Sequence, residues 1–212
     1  MSLESDNMQS IYWNENCTVF WHGISMADQA KYKSGFSYVG STVKATGHAY
    51  MYGSRIMRRA RDDIYFYNGG LPAGSTIYKW DMVYSYATAH AIPSLPLLIP
   101  GHRYYFRMLA EADVPDGLFL RLIAYNREDV MVKLQIIRGK SGIFDFPQEA
   151  SYYTVELVGA GCHEVIFHRI DVQEIQDESE IDQLDFEKMH QENERRRWLA
   201  AQVVDSYLGR RE

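Results

Sequence analysis

Two histidines in HEVIFH, residues 163–168, are of a type that binds metal ions. The zinc-binding pattern HExxH places its histidines on one face of a helix, but here they are one residue further apart, in a stretch that alternates like a β-strand. Residues five apart on a strand point to opposite faces. We therefore expect that His163 and His168 do not share a metal ion.

Cys162 beside His163 offers a thiol next to an imidazole. Neighbouring residues on a strand point apart, and no third group is placed to orient the pair for nucleophilic catalysis. GAGCHE, residues 159–164, lacks the last glycine of a dinucleotide-binding GxGxxG loop, and the sequence has no GxSxG motif. The sequence predicts no catalytic residue, no metal site and no cofactor.

The one basic cluster is RIMRRARDD, residues 55–63, in which two aspartates follow four arginines. This charge balance favours a salt-bridged strand edge or loop over a phosphate-binding site. The formal net charge of the whole chain is −6. A general nucleic-acid binder needs an excess of Lys and Arg, so nucleic acid is not an expected partner.

Aromatic residues are the strongest candidates for binding, because exposed rings stack on sugars or on extended peptides. Tyr78 and Trp80 share one face of a predicted strand, with Tyr84 just beyond, and Asn126 and Arg127 lie in a polar turn after another strand. These five residues form a candidate site for a glycan or peptide. The alternative is that Tyr78 and Trp80 fill the core, as aromatics at strand spacing do more often.

These candidate residues lie on or beside predicted β-strands. Short alternating segments at 64–68, 75–83, 102–110, 118–125, 130–137, 151–161 and 163–175 are separated by Gly- and Pro-containing turns. This spacing is typical of a β-sandwich, and it leaves no room for the helical crossovers of a parallel sheet. We predict an all-β, antiparallel sandwich over residues 11–175, with further strands near 11–24 and 49–57 and a long loop or insertion at 25–48.

The stretch PSLPLLIPGHRYYFRM, residues 93–108, is predicted to lead into a strand. Its prolines prevent strand pairing, Gly101 forms the turn, and the alternating residues of the strand follow. Its apolar run is too short and interrupted to cross a membrane. Residues 1–10 have no basic flank or apolar core, so they are expected to be a flexible leader rather than a signal peptide. The expected location is the cytoplasm.

The C-terminal segment has a different character. Residues 174–212 carry 11 acidic and 6 basic residues, whereas the rest of the chain has 17 acidic and 16 basic residues. We expect residues 176–212 to form an acidic linker and an amphipathic helix over about 185–208. The apolar stripe of this helix could pack on the sandwich of the same chain or dock onto a partner. The candidate partner-binding residues are Trp198, Val203, Val204 and Tyr207.

The order of several motifs resembles a known family, the third of the accessory secretory proteins in the accessory Sec system of streptococci, staphylococci and lactobacilli. The matching stretches are Tyr12–Trp13, YGS (52–54), YNGGLPAGSTIYKW (67–80), LPLLIPGHRYYFRM (95–108), LRLIAYNRE (120–128), FDFP (144–147) and YTVELVGAGCHEVIFHRIDVQE (153–174). The long stretch 14–49 and the extended tail depart from the family pattern.

The resemblance implies a jelly-roll fold like that of a carbohydrate-binding module, without catalytic residues. It implies that the chain assembles with two sister accessory secretory proteins and serves export of a serine-rich repeat adhesin, glycosylated in the cell, by an accessory SecA motor. Peripheral association with the membrane would then occur through partners. Two alternatives remain: a stand-alone carbohydrate-binding module of polysaccharide metabolism, and a small hydrolase on a jelly-roll scaffold.

Overall fold

Alternating apolar and polar residues build two antiparallel sheets that pack face to face. The computed structural model describes residues 8–13, 49–50, 53–82 and 95–208, with side chains as far as residue 202. Sheet A has the order β2–β3–β10–β5–β8, and β1 also pairs with β10. Its strands are β1 (Gln9–Ile11), β2 (Arg55–Ala60), β3 (Asp63–Tyr67), β5 (Arg103–Ala112), β8 (Ser141–Asp145) and β10 (Glu164–Ile175).

Sheet B covers the inner face of sheet A and has the order β4–β9–β6–β7. Its strands are β4 (Thr76–Asp81), β6 (Leu118–Tyr125), β7 (Met131–Arg138) and β9 (Tyr152–Gly159). All pairings in both sheets are antiparallel. The predicted antiparallel sandwich with a C-terminal helix is confirmed.

Strand β10 is the central strand of sheet A. Its first part pairs with β3 and its later part with β1, while β5 pairs along its other edge. A bulge at His168 adds one residue opposite β5. Because of the bulge, Phe167 and Ile170 both point into the core, although three positions separate them.

The centre of the sandwich is a cluster of aromatic side chains. The Tyr78 ring lies 4.2 Å from that of Trp13 and 4.6 Å from that of Trp80, and Phe167 lies 5.4 Å from Trp80 between ring centroids. The indole N–H of Trp80 donates to the carbonyl of Tyr12 at 2.7 Å. Since Tyr12 follows β1, this bond ties the N-terminal strand of sheet A to sheet B.

One long side of the sandwich is closed by side chains rather than by strand pairing. Lys133 on β7 donates to the carbonyl of Asp145 on β8 at 2.7 Å, and Gln135 donates to the carbonyl of Ile143. Gly142 permits this close approach, because a Cβ there would lie 2.9 Å from the side chain of Ile137.

The loop 95–102 closes one end of the sandwich. Leu95 and Leu98 are buried, and the hydroxyl of Tyr153 donates to the carbonyl of Pro96 at 2.8 Å. The loop enters β5 through Gly101, whose φ of +83° suits glycine. The proline-rich stretch is therefore a structured loop before a strand, as its sequence predicts.

The C-terminal segment crosses the outer face of sheet A. A 3₁₀ turn (Glu178–Gln183) leads to helix α1 (Phe186–Leu208). Phe186 packs on Tyr105 of β5, with ring centroids 5.5 Å apart, and the side chain of Asn193 donates to the carbonyl of Met8. Within the described residues, no helix is long and apolar enough to span a membrane.

The outer row of β10 is polar but buried beneath this segment. Asp171 is fully buried and accepts hydrogen bonds from the hydroxyl of Ser10 at 2.7 Å and from the guanidinium of Arg169 at 3.0 Å. Arg169 also contacts Glu187 of α1 at 3.4 Å. A buried charge needs such partners, so β1, β10 and α1 are joined through these two residues.

The structure corrects two predicted boundaries and adds one strand. Strand β1 begins at Gln9, inside the predicted leader. Within the predicted strand 49–57, Ala49 forms a single bridge with Tyr78, and β2 begins at Arg55. Strand β8 was not predicted, because SGIFD is short and contains a glycine. The predicted loop at 25–48 lies outside the described residues.

We expect Trp80→Ala to lower the free energy of unfolding by about 3–5 kcal/mol, because it removes a fully buried ring and leaves a cavity. Trp80→Phe keeps most of the volume but orphans the carbonyl of Tyr12, at a cost of about 1–3 kcal/mol. Urea unfolding monitored by far-UV circular dichroism measures both changes. Trp198→Ala, at an exposed position, is the matched control and should stay within about 0.5 kcal/mol of the wild type; equal losses for Trp80→Ala and Trp198→Ala would contradict the buried position of Trp80.

Alkaline pH should unfold the sandwich through its buried tyrosines. Burial raises the pKa of Tyr12 to about 12 and raises that of Tyr153 well above its usual value of 10.0. A raised folded-state pKa gives stability that is complete below pH 10 and is lost as the pH rises toward 12. Absorbance at 295 nm and circular dichroism should therefore show a second group of tyrosines ionising together with unfolding, whereas a single midpoint near pH 10 with the sheets intact would be inconsistent with this burial.

Candidate protein-binding surface

The histidine and cysteine side chains near residues 162–168 are structural. Cys162 is fully buried, and burial, followed by the nearby Asp113 carboxylate, raises the pKa of its thiol. A raised pKa disfavours the nucleophilic thiolate. The ring of His168 contacts the carbonyl of Asp62 at 2.7 Å, and that of His163 contacts the carbonyl of Asn68 at 3.3 Å.

The carboxylate of Asp113 lies beside His163 and Glu164. Burial alone would raise its pKa, but the backbone N–H groups of Glu164 and His163 donate to it and the net effect lowers the pKa. Asp113 thus fixes the turn before β10. In the part of the chain that the structure describes, no three His, Cys, Asp or Glu side chains come together in a group that could hold a metal ion.

Two arginines of residues 55–63, Arg59 and Arg61, are engaged with neighbouring side chains. Arg59 pairs with Asp63 at 3.7 Å and lies over the ring of Tyr65 at 5.1 Å. Arg61 lies 3.7 Å from the centre of the Tyr12 ring and pairs with Glu194 of α1 at 3.1 Å. This cluster is part of the contact between the sandwich and α1.

Two members of the predicted ligand site are in the core. Tyr78 and Trp80 are buried on the inner face of β4, so neither can stack on a ligand at the surface. This corrects the binding prediction for both residues and agrees with the alternative that they fill the core. The inner side of β4 faces sheet A, and the charged residues Lys79 and Asp81 lie on its other side. Tyr84 lies outside the described residues.

Asn126 shapes the turn between β6 and β7. Its side-chain oxygen accepts from the backbone N–H groups of Glu128 at 2.9 Å and of Val130 at 3.0 Å. Arg127 is exposed in the same turn. Asp129, with φ of +60°, accepts a hydrogen bond from the hydroxyl of Tyr152 at 2.9 Å.

Two tyrosines stack beside this turn on the outer face of sheet B, the face turned away from sheet A. The rings of Tyr125 and Tyr152 are 4.9 Å apart and inclined by 12°. Partial burial, then the hydrogen bond to Asp129, raises the pKa of Tyr152 to about 12. Tyr152 is therefore neutral at physiological pH, and its stacking on Tyr125 and its hydrogen bond fix it at the end of the sheet.

An apolar surface continues from the tyrosines along the edge of sheet B. Cross-strand register places Met131 opposite Tyr125, Leu134 opposite Ile123 and Ile136 opposite Arg121. Paired residues point to the same side of a sheet, so the aliphatic side chains of β7 lie on the outer face. We call this surface the apolar face: Ile123, Tyr125, Met131, Leu134 and Ile136.

The exposure of the apolar face is its main property. Met131 is 54% exposed, Leu134 47% and Ile136 43%. At the same end of the sandwich, Leu97 on the loop 95–102 is 77% exposed. Clustered exposed aliphatic side chains are typical of sites that bind another protein.

A polar network borders the apolar face on the side of β4. The Arg121 guanidinium donates to the Glu156 carboxylate at 2.6 Å and to the hydroxyl of Thr76 at 2.9 Å. Glu156 is buried in this pair. The outer face of sheet B is thus apolar toward β7 and polar toward β4, as in an interface with an apolar centre and a polar rim.

The predicted residues of the tail fall in the distal half of α1. Trp198 is 59% exposed, and every residue from Arg195 to Gln202 is exposed. Val203, Val204 and Tyr207 lie beyond the residues whose side chains the structure describes. The first half of α1 packs on its own sandwich, which agrees with the first of the two alternatives for the tail. Docking of the distal half onto a partner stays a prediction.

Sequence reasoning placed the Asn126 turn near the surface but missed the apolar face beside it. The signal was present in LFLRLIAY and VMVKLQII, whose alternation puts Ile123, Tyr125, Leu134 and Ile136 opposite the core-forming residues. Because both sides of β6 are apolar, the pattern alone could not identify the outer side.

Comparison with known proteins gives the family. The family model described as Accessory Sec secretory system ASP3 matches residues 49–174. The accessory Sec system protein ASP3 of Streptococcus gordonii is 30% identical to this chain over 161 residues, which are 76% of this chain and 94% of that protein.

Two solved structures are similar in fold. A chain of the Glycosylation Associate Protein (Gap123) complex from Streptococcus agalactiae superposes with a TM-score of 0.61 and 26% identity, over 81% of this chain and 46% of that one. A chain from the structure of accessory secretory proteins 1, 2 and 3 in Streptococcus pneumoniae gives a TM-score of 0.59 and 25% identity, over 61% of this chain and 91% of that one.

These matches confirm the resemblance seen in the motifs, all of which except Tyr12–Trp13 lie within residues 49–174. The family model covers more than half of the residues, and it spans the sandwich from Ala49 to Glu174. This chain belongs to the ASP3 family of the accessory Sec secretory system.

Proposed function

We propose that this chain is a non-catalytic component of the accessory Sec export machinery. It binds its sister accessory secretory proteins and the serine-rich, glycosylated adhesin before the accessory SecA motor exports the adhesin. It acts in the cytoplasm, and its partners bring it to the inner face of the membrane. The resemblance to the family supports this assignment.

The observation that carries the proposal is the apolar face. Three aliphatic side chains on the edge strand β7 are 43–54% exposed, beside the stacked tyrosines and a polar rim. Aliphatic side chains have no directional groups to fix a sugar, but they suit the desolvated centre of a contact between proteins. Two solved relatives in fold come from complexes, one of them of accessory secretory proteins 1, 2 and 3.

The edge position of β7 also favours a protein partner. β7 pairs with β6 on one side and ends the order of sheet B on the other. A partner that covers Leu134 and Ile136 would bury apolar area beside the edge of β7 that pairs with no further strand of sheet B. The apolar face is therefore assigned to a sister accessory protein rather than to the adhesin.

The stand-alone carbohydrate-binding module is the second candidate, and the Tyr125–Tyr152 pair favours it. The rings lie beside the polar turn of residues 126–129, and rings next to polar groups can hold a sugar. However, each ring already covers one face of the other. Glycan binding that is lost in Tyr152→Ala, with assembly unchanged, would favour this function.

We expect Leu134→Asp to weaken assembly with the sister accessory proteins by at least about tenfold, because it puts a charge into an apolar contact. Co-expression with both sister proteins, followed by affinity purification and titration, measures the change. Val114→Asp is the matched control: Val114 is also exposed and apolar, but it lies in the turn between β5 and β6.

The variants must first be shown to keep the wild-type circular dichroism spectrum and melting temperature. If Leu134→Asp assembles with the sister proteins as tightly as the wild type does, the apolar face is not the surface that binds them. Deleting the gene should also trap the adhesin inside the cell, and normal export from the deletion strain would refute the function itself.

A further inference from the structure

The acidic C-terminal segment is paired with arginines of the sandwich at three separate places. Glu178 of the 3₁₀ turn lies 3.9 Å from Arg103. Glu187 of α1 lies 3.3 Å from Arg107, and Glu194 lies 3.1 Å from Arg61. The glutamates are spread along 17 residues of chain, so the segment follows a line of arginines along sheet A and the turn after β2. Arg103 is also paired with Asp145 of β8, at 2.7 Å.

Arg169 and Arg107 form the centre of this line. Glu187 contacts both guanidinium groups, at 3.4 Å and 3.3 Å. Arg107 also lies 5.1 Å from the ring of Phe186, so both of the contacts described for it come from α1. The fully buried Asp171 pairs with Arg169 independently of α1. Without the helix, the outer face of sheet A would therefore keep its shape, but Arg107 would lose its carboxylate partner, Glu187.

The contact buries little apolar surface. Phe186 is the one buried residue among those of α1 whose side chains are described. The carboxylates of Glu178, Glu187 and Glu194 are each about half exposed or more. Exposed ion pairs are individually weak and are screened by salt. The segment is therefore held mainly by the number of charge contacts made along one chain.

From this arrangement we infer that the outer face of sheet A is a binding site for an acidic helical segment. In this chain the site is filled by α1, and a segment of the same chemistry on a partner protein fills it when α1 leaves. The charge complementarity of α1 with the face defines the partner: carboxylates about two turns apart, as Glu187 and Glu194 are, and one aromatic residue at the start. This site is on the opposite sheet from the apolar face and does not depend on the proposed function.

Attachment to the same chain gives α1 an advantage over any separate segment. A tethered segment acts at an effective concentration of the order of millimolar, so a free peptide competes poorly with it. Weakening the ion pairs of α1 removes this advantage without touching the arginines. The prediction is that a free peptide binds better when the helix of the chain itself carries fewer charges.

The experiment uses the full chain and a fluorescein-labelled peptide of residues 174–197. Fluorescence anisotropy should show that the Glu187→Gln, Glu194→Gln double variant binds the peptide at least about tenfold more tightly than the wild type does, and that the affinity falls with added salt. Glu192→Gln is the matched control, because Glu192 pairs with Arg195 and Arg196 of the same helix. It should bind the peptide as the wild type does.

Two further measurements complete the test. A peptide with Gln in place of the glutamates at 178, 187 and 194 should bind the double variant about tenfold more weakly, and bound acidic peptide should speed the hydrogen exchange of residues 186–194 in the wild type. Absence of binding to the double variant, or equal binding of the acidic and neutral peptides, would overturn the inference. Light scattering would detect a dimer that forms by exchange of α1 between two copies of the chain. Such a dimer would also overturn the inference, because a second copy would then fill the site.

Discussion

Strand β10 must bury both of its faces, and this requirement organises the molecule. Its inner side chains, such as Phe167 and Ile170, close the core against sheet B. Its outer row contains Arg169 and Asp171, which can be buried only if every charge finds a partner. Those partners come from β1 and from the C-terminal segment, so β1 and the start of α1 are drawn to sheet A. The outer face of sheet B is left as the more exposed apolar side.

The outer faces of the two sheets also differ in their charges. The acidic character of residues 174–212 suggested a solvated or partner-facing tail, but part of it neutralises arginines of sheet A. The first half of α1 is thereby held on the sandwich, while Trp198 and its neighbours extend from it in solvent. Membership of the ASP3 family rests on the sandwich, because the family match ends at Glu174, before α1 begins. Contacts made through α1 can therefore differ among relatives that share the sandwich.

The sequence patterns predicted the antiparallel sandwich because alternation records which residues a sheet buries. They also predicted α1 to within a residue at its start, since the period changes from two to 3.6 there. They did not distinguish the two faces of β6, because both sides of this strand carry large apolar or aromatic residues. Ile123 was thus overlooked. In β4, the charged residues Lys79 and Asp81 mark the outer side, which agrees with the alternative that Tyr78 and Trp80 fill the core. The buried polar row of β10 was equally hidden, because HRIDVQE reads as an exposed face unless one knows what covers it.

The side-chain closure between β7 and β8 has a consequence for how the protein behaves at high concentration. Carbonyl oxygens along a strand edge invite chains from other molecules to stack there, and such stacking can propagate into ribbons. The amide of Gln135 and the ammonium of Lys133 already occupy two of these acceptors on β8. An incoming chain would have to displace both before it could extend sheet A. The same two side chains that hold the layers together therefore act as gatekeepers against fibril growth along this seam.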